Sequence, residues 1–150
     1  MSFGRLHAFV IATKAGEVVY ERFWDRLSEV DKAEARAALQ LASSSTSLGV
    51  DDQDFTGSFR SAHFTFIPYG ELVYYLVGSG EYDELACADI IRQLVAVLSD
   101  ILGKLPTVSL LMDKYVKLVV IVDEIINEGL LECLDKDAIR KAMKLKAPWE

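Results

Sequence analysis

The residues able to carry chemistry are few, and their spacing keeps them apart. His7 and His63 lie in separate apolar segments, and a base at either place needs a nucleophile or a metal within reach. Each reads as a strand residue with an ordinary hydrogen bond. Cys87 and Cys133 stand singly among apolar residues, without CxxC spacing or a nearby histidine, which fits a reducing compartment and no zinc site. Gly78-Ser79-Gly80 is half of a nucleotide-binding loop, but the third glycine is missing. Gly103-Lys104 runs into Leu105, where a P-loop needs Ser or Thr, and Leu98 stands in place of its first glycine. Glu81, Asp83 and Glu84 could in principle hold a cation, yet carboxylates at a helix start satisfy free N–H groups and the helix dipole. Asp123 and Glu124 interrupt an apolar helix, as a face meeting solvent or a partner does. No catalytic site, metal site, cofactor or small-molecule substrate is expected from this inventory.

The elements that would position these residues follow from periodicity. Leu6 to Thr13 is short, apolar and suited to a pleated surface, and Val18 to Trp24 repeats that character after a turn at Lys14-Ala15-Gly16-Glu17. The two make a hairpin. Asp31 and Glu34 match a capping box ahead of an alanine-rich helix ending near Ala42. The tract Ser43-Ser44-Ser45-Thr46-Ser47 competes for backbone hydrogen bonds and reads as a surface loop. Phe55 to Phe59, His63 to Ile67 and Leu72 to Val77 read as three further strands, separated by Arg60-Ser61-Ala62 and Pro68-Tyr69-Gly70-Glu71. Leu85, Ala88, Ile91, Val95, Leu98 and Leu102 then recur at helical spacing until Gly103 and Pro106. Lys117 to Val122 alone resembles a buried strand, but Leu111, Tyr115, Leu118, Val122, Ile125 and Ile126 keep helical spacing for about four turns, so a buried helix ended by Gly129 is expected. A last short helix opens at Asp135-Lys136-Asp137 and carries Ile139, Ala142 and Met143.

The order ββαβββαα plus a short C-terminal helix predicts an α/β (α+β) domain: a five-stranded antiparallel sheet with helices packed on its faces. With 150 residues, 51% of them apolar and 26% charged, one domain spanning 1–150 can bury a single good core. The net charge of −7 argues against nucleic acid and anionic lipid as main partners, because both require clustered cations. Arg140, Lys141, Lys144 and Lys146 form a local basic stretch that reads as the solvated face of the last helix. The longest apolar runs, Leu118 to Val122 and Ala8 to Ala12, fall far short of the ~20 residues a bilayer requires. No cleavable leader is visible after Arg5, so a cytoplasmic location is expected.

Val122-Asp123-Glu124-Ile125-Ile126, followed by Gly129-Leu130-Leu131-Glu132, resembles the "VDE…G…E" stretch of the small (sigma and zeta) subunits of adaptor and coatomer complexes. Tyr115 and Lys117 precede it at the family's spacing, and Tyr69-Gly70-Glu71-Leu72-Val73-Tyr74 resembles the family's strand-turn-strand. The likeness extends from Leu6 to about Met143 and implies the longin fold. Leu76 to Leu85 and the ending from Asp135 through Pro148 resemble most the sigma-like subunit of the TSET complex, called the TPLATE complex in plants. What the resemblance implies is a non-catalytic coat subunit held by the helical-solenoid trunk of a large chain, with other coat subunits. It would reach membranes only peripherally, through the complex, with clathrin-mediated endocytosis at plasma-membrane coated pits as the expected step. A longin subunit of a tethering complex, or a zeta or sigma subunit acting in another step, is the alternative. The resemblance further implies Tyr82, Tyr115, Asp123, Glu124 and Gly129 as partner-facing candidates. It places the acidic-dileucine peptide pocket of some sigma subunits at Leu72, Val95 and Leu105, with Val19 where the pocket's basic residue belongs.

Overall fold

The apolar run from Ala8 to Ala12 has no polar residue to keep one side wet, so its strand needs cover on both faces, and the fold provides it. The computed structural model describes residues 4–146, with side chains through Lys144. Ala147 and Pro148 of the ending quoted above, and the side chains of Leu145 and Lys146, lie outside the described residues. Strands β1 (Leu6–Thr13), β2 (Val18–Phe23), β3 (Phe55–Phe59), β4 (Ala62–Tyr69) and β5 (Leu72–Gly78) form one antiparallel sheet in the order β2-β1-β5-β4-β3. Helix α1 (Glu29–Ser44) covers one face. Helices α2 (Glu84–Leu102), α3 (Val108–Asp113), α4 (Tyr115–Ile125) and α5 (Lys136–Lys146) cover the other. The expected longin-like architecture is present.

Strand alternation divides the core in two. Phe9 and Ile11 of β1 and Leu72, Tyr74 and Leu76 of β5 point to α2, which buries Cys87, Ile91, Leu94 and Leu98 against them. Each such side chain contributes ~1.5–3 kcal/mol when fully removed from water. Ala8, Val10 and Ala12, with Val73, Tyr75 and Val77, point the other way, toward Leu39 of α1 and the stacked rings of Phe66 and Phe55.

Four expectations need correction. The cap of α1 lies three residues earlier than Asp31: Ser28 accepts the Asp31 N–H at 3.1 Å, so Asp31 occupies the third helical position of the box. The helix also runs into the serine tract to Ser44, because the Ser43, Ser44 and Ser45 hydroxyls donate to carbonyls three residues back instead of breaking the turn. The long buried helix is broken at Lys114 into α3 and α4 and stops at Ile125, and Gly129 belongs to a turn rather than to a helix end. Ile126–Asn127 (β6) and Leu130–Leu131 (β7) pair around Glu128 and Gly129, whose φ values of 50° and 83° are those of a tight two-residue hairpin turn. Leu85 faces solvent, 79% exposed, because it lies on the outer side of α2, whose first turn meets the sheet through the Glu84 carbonyl, Cys87 and Ala88 instead.

The β6–β7 hairpin is docked onto the start of β1: the Leu6 N–H donates to the Gly129 carbonyl at 2.7 Å. A Cβ on Gly129 would lie 2.5 Å from the Leu6 carbonyl oxygen, in a backbone region that side chains rarely adopt. On the far side, Asp52 ties the loop before β3 to α2 and β4 by accepting from Arg92 Nε at 2.9 Å and from the Tyr69 hydroxyl. The Tyr69 and Arg92 hydrogen bonds hold the Asp52 carboxyl below its usual range.

Two expectations follow. Gly129→Ala lowers stability by about 1–3 kcal/mol, several degrees of Tm by circular dichroism, whereas Gly49→Ala, with open space around it, leaves Tm unchanged; equal Tm values for both variants would refute the docking role. Because Asp52 is held ionised in the fold, its contribution is present above the ordinary carboxylate pKa and is lost as pH falls through the lower folded value. Acid titration of Tm is therefore expected to fall less steeply for Asp52→Asn than for the unaltered chain.

Candidate functional site

Of the five partner-facing candidates, two turn inward. The Tyr82 hydroxyl oxygen accepts the Leu131 N–H at 3.1 Å, joining the β5–α2 connection to the β6–β7 hairpin. Gly129 supplies the carbonyl that anchors the same hairpin to β1. The "VDE…G…E" pattern thus encodes a lock in its second half. In its first half, Asp123 lies on the surface of α4, 3.8 Å from Arg22 of β2, and Glu124 is half-buried beside it.

Tyr115 lies at the elbow where α3 meets α4. One edge of its ring packs on Tyr20 with centroids 6.0 Å apart, while 40% of the residue stays exposed. The helical spacing that placed it in the buried row is broken by the Lys114 kink, which swings Tyr115 toward the sheet margin and opens the elbow. Met112 and Val116 (61% exposed) flank it, and residues 112–117 line a concavity of about 330 Å³. Sequence reasoning missed Met112 and Val116. Their signal was the excess of apolar residues in this segment over what one helical stripe needs.

The three peptide-pocket positions differ in exposure. Leu72 and Val95 are buried in the α2-side core, and Leu105 is partly exposed beyond it, with a methyl 3.3 Å from where a Gly70 Cβ would stand. Val19 is the extra residue of a bulge between β2 and β1, since Ile11 pairs with Tyr20 and Ala12 with Val18.

His7 has more partners than its sequence context suggested. Its Nδ1 lies 2.6 Å from Asp25 Oδ2 and its Nε2 2.8 Å from the Ser79 hydroxyl. A carboxylate oxygen only accepts, so Nδ1 is the donor to Asp25, and Nε2 shares a hydrogen bond with the Ser79 hydroxyl. The same cluster holds strand ends: Ser79 N–H donates to the Arg5 carbonyl, and Arg5 Nη2 to the carbonyls of Trp24 and Glu128. The ends of β1, β2 and β5 and the 128–129 turn are thereby knotted together. His63 lies 3.5 Å from Glu84. Burial pushes the Cys87 thiol up to about 12, away from nucleophilic use. Asp83 caps α2 by accepting the Ala86 N–H at 2.9 Å. Among the described residues, no three His, Cys, Asp or Glu side chains converge as metal ligands, and no helix is long and apolar enough to cross a membrane.

Residues 5–148 match the family model of the clathrin adaptor complex small chain. The TSET complex member tstD of Dictyostelium discoideum is 24% identical over 143 residues, covering 94% of this chain and 93% of that one. A chain in a homology model of the full-length AP-3 complex, in a stretched open conformation, superposes with a TM-score of 0.67 at 16% identity, covering 95% and 94% of the two chains. The five-stranded sheet, its helical cover and the family match along nearly the whole sequence agree: this chain belongs to the clathrin adaptor complex small-chain family.

Proposed function

We propose that this chain is a non-catalytic structural subunit of a TSET-type coat, seated on the helical-solenoid trunk of a large subunit and acting in clathrin-mediated endocytosis. The observation that carries the reading is the apolar elbow of Met112, Tyr115 and Val116. Exposed aromatic and aliphatic side chains grouped around a concavity mark a partner site rather than solvent-facing surface. Tyr20, beneath Tyr115, is buried in the main core, so the elbow is stiffly backed and loses little entropy when covered. The Arg22–Asp123 pair at its margin supplies the polar rim that such interfaces carry. Recruitment to the plasma membrane then follows from the complex, because the chain's own charge of −7 repels anionic lipid. Its location between encounters is the cytoplasm.

Val116→Asp is expected to cut co-purification of the large coat subunit by roughly tenfold or more, with Tm unchanged because the residue is exposed. Recovery equal to that of the unaltered chain would end this reading. The purified chain alone is expected to give no saturable binding of an acidic dileucine peptide, since Leu72 and Val95 are packed in the core and Val19 offers no cation. Saturable binding abolished by Leu105→Asp would reverse that expectation.

A further inference from the structure

The sheet ends on two strands that are guarded very differently. An edge strand presents unpaired N–H and C=O groups that can template another strand, and folded proteins blunt it with charges, proline, a bulge or a covering element. β2 has such guards: the bulge at Val19, the charged side chains of Glu21 and Arg22, and α3 packed close by. β3, at the other end of the sheet, has none of them. Its five residues, Phe55-Thr56-Gly57-Ser58-Phe59, carry no charge and no proline and pair with β4 in one unbroken register. The flanking charges are engaged elsewhere, since Asp54 accepts from Arg92 and Arg60 donates to Asp31 and Glu34.

Hairpin geometry decides which groups are free. The two-residue turn Arg60-Ser61 makes Phe59 and Ala62 the closing hydrogen-bonded pair, so Gly57 and Phe55 bond to β4 as well, and the N–H and C=O of Thr56 and Ser58 point outward. Both residues are exposed, and among the described residues no hydrogen bond from another element reaches their main chain. We infer that β3 is the docking edge for an extended segment of another coat subunit, which adds a sixth strand to the sheet. Only an extended main chain offers donors and acceptors at the repeat that Thr56 and Ser58 present. The segment's residue opposite Gly57 is apolar, because its neighbours on the α1 face are Phe55, Phe59 and, over Gly57, the ring of Phe64. The inference rests on the coat reading only for the source of the segment. A second copy fits less well, since two chains of −7 each repel one another. One short strand also covers far less than the ~1,200–2,000 Å² of a stable interface between free proteins. A segment already held in the same assembly by other contacts does not need that area.

The test is hydrogen exchange at single-residue resolution in the intact complex isolated from its own cells, compared with the purified chain alone. The Thr56 and Ser58 amides are expected to exchange at least ~tenfold more slowly in the complex, while the Gly57 amide, bonded to β4, is slow in both. Benzoylphenylalanine at position 58 is expected to cross-link to an extended segment of another coat subunit. Thr56→Pro removes one outward N–H and leaves the bonds to β4 in place. It is expected to abolish the Ser58 protection, while the subunit lost on Val116→Asp stays bound. Equal exchange of both amides in the complex and the free chain overturns the inference. So does a cross-link to a helix, or protection that appears in the chain alone as its concentration rises, which marks a second copy. Protected amides with full recovery of the Val116→Asp complex end the elbow reading and keep this one; unprotected amides with the Val116→Asp loss do the reverse.

Discussion

The antiparallel pairing of β1 with β5 is the constraint from which the other elements take their places. The two strands are separated by most of the first half of the chain, so their pairing closes a long loop. Once paired, they present two unlike faces. The side toward α2 carries Phe9, Ile11, Tyr74 and Leu76, and four helices are needed to cover such bulk. The side toward α1 carries Ala8 and Ala12 on β1, and one helix with Ala35 and Leu39 suffices.

That asymmetry explains how α1 is held. Its apolar seal is narrow, and polar ties supplement it: Arg60 bridges Asp31 and Glu34 at 2.8 Å each, Arg36 clasps Glu21, and the Tyr75 hydroxyl donates to Ser43 inside the core. The Arg60 bridges are solvent-exposed and contribute little, whereas the Arg36–Glu21 pair is partly buried. Their joint effect is to fix the rotation of the helix, which decides which of its sides meets the sheet and which stays outside.

The family's most recognisable stretch serves architecture on one half and surface on the other. Ile125 and Ile126 end α4 inside the core, and the Glu128–Gly129 turn brings the hairpin back to β1 and Tyr82. Asp123 stays outside next to Arg22. A single helix end therefore joins the core, the strand-end knot around Arg5 and His7, and the margin of the apolar elbow. Rigid backing of this kind keeps the geometry of an exposed surface fixed.

Strand positions, the α1 and α2 helices and the sheet's antiparallel class were legible in the residues, because period-2 and period-3.6 patterns are local and each apolar run had one consistent solution. The resemblance in Val122 to Glu132 was legible for the same reason: it is a linear pattern. The break at Lys114 was not, since neither glycine nor proline marks it and the spacing of Leu111 and Leu118 is preserved across it; only the packing of Leu111 and Leu118 into one core turns the chain there. The inward roles of Tyr82 and Gly129, the partnership of His7 with Asp25 and Ser79, and the division of α1 into a covered and an uncovered side were equally invisible. Each depends on residues distant in sequence, and a side chain's partner is chosen by the tertiary fold that brings it near, not by its neighbours along the chain.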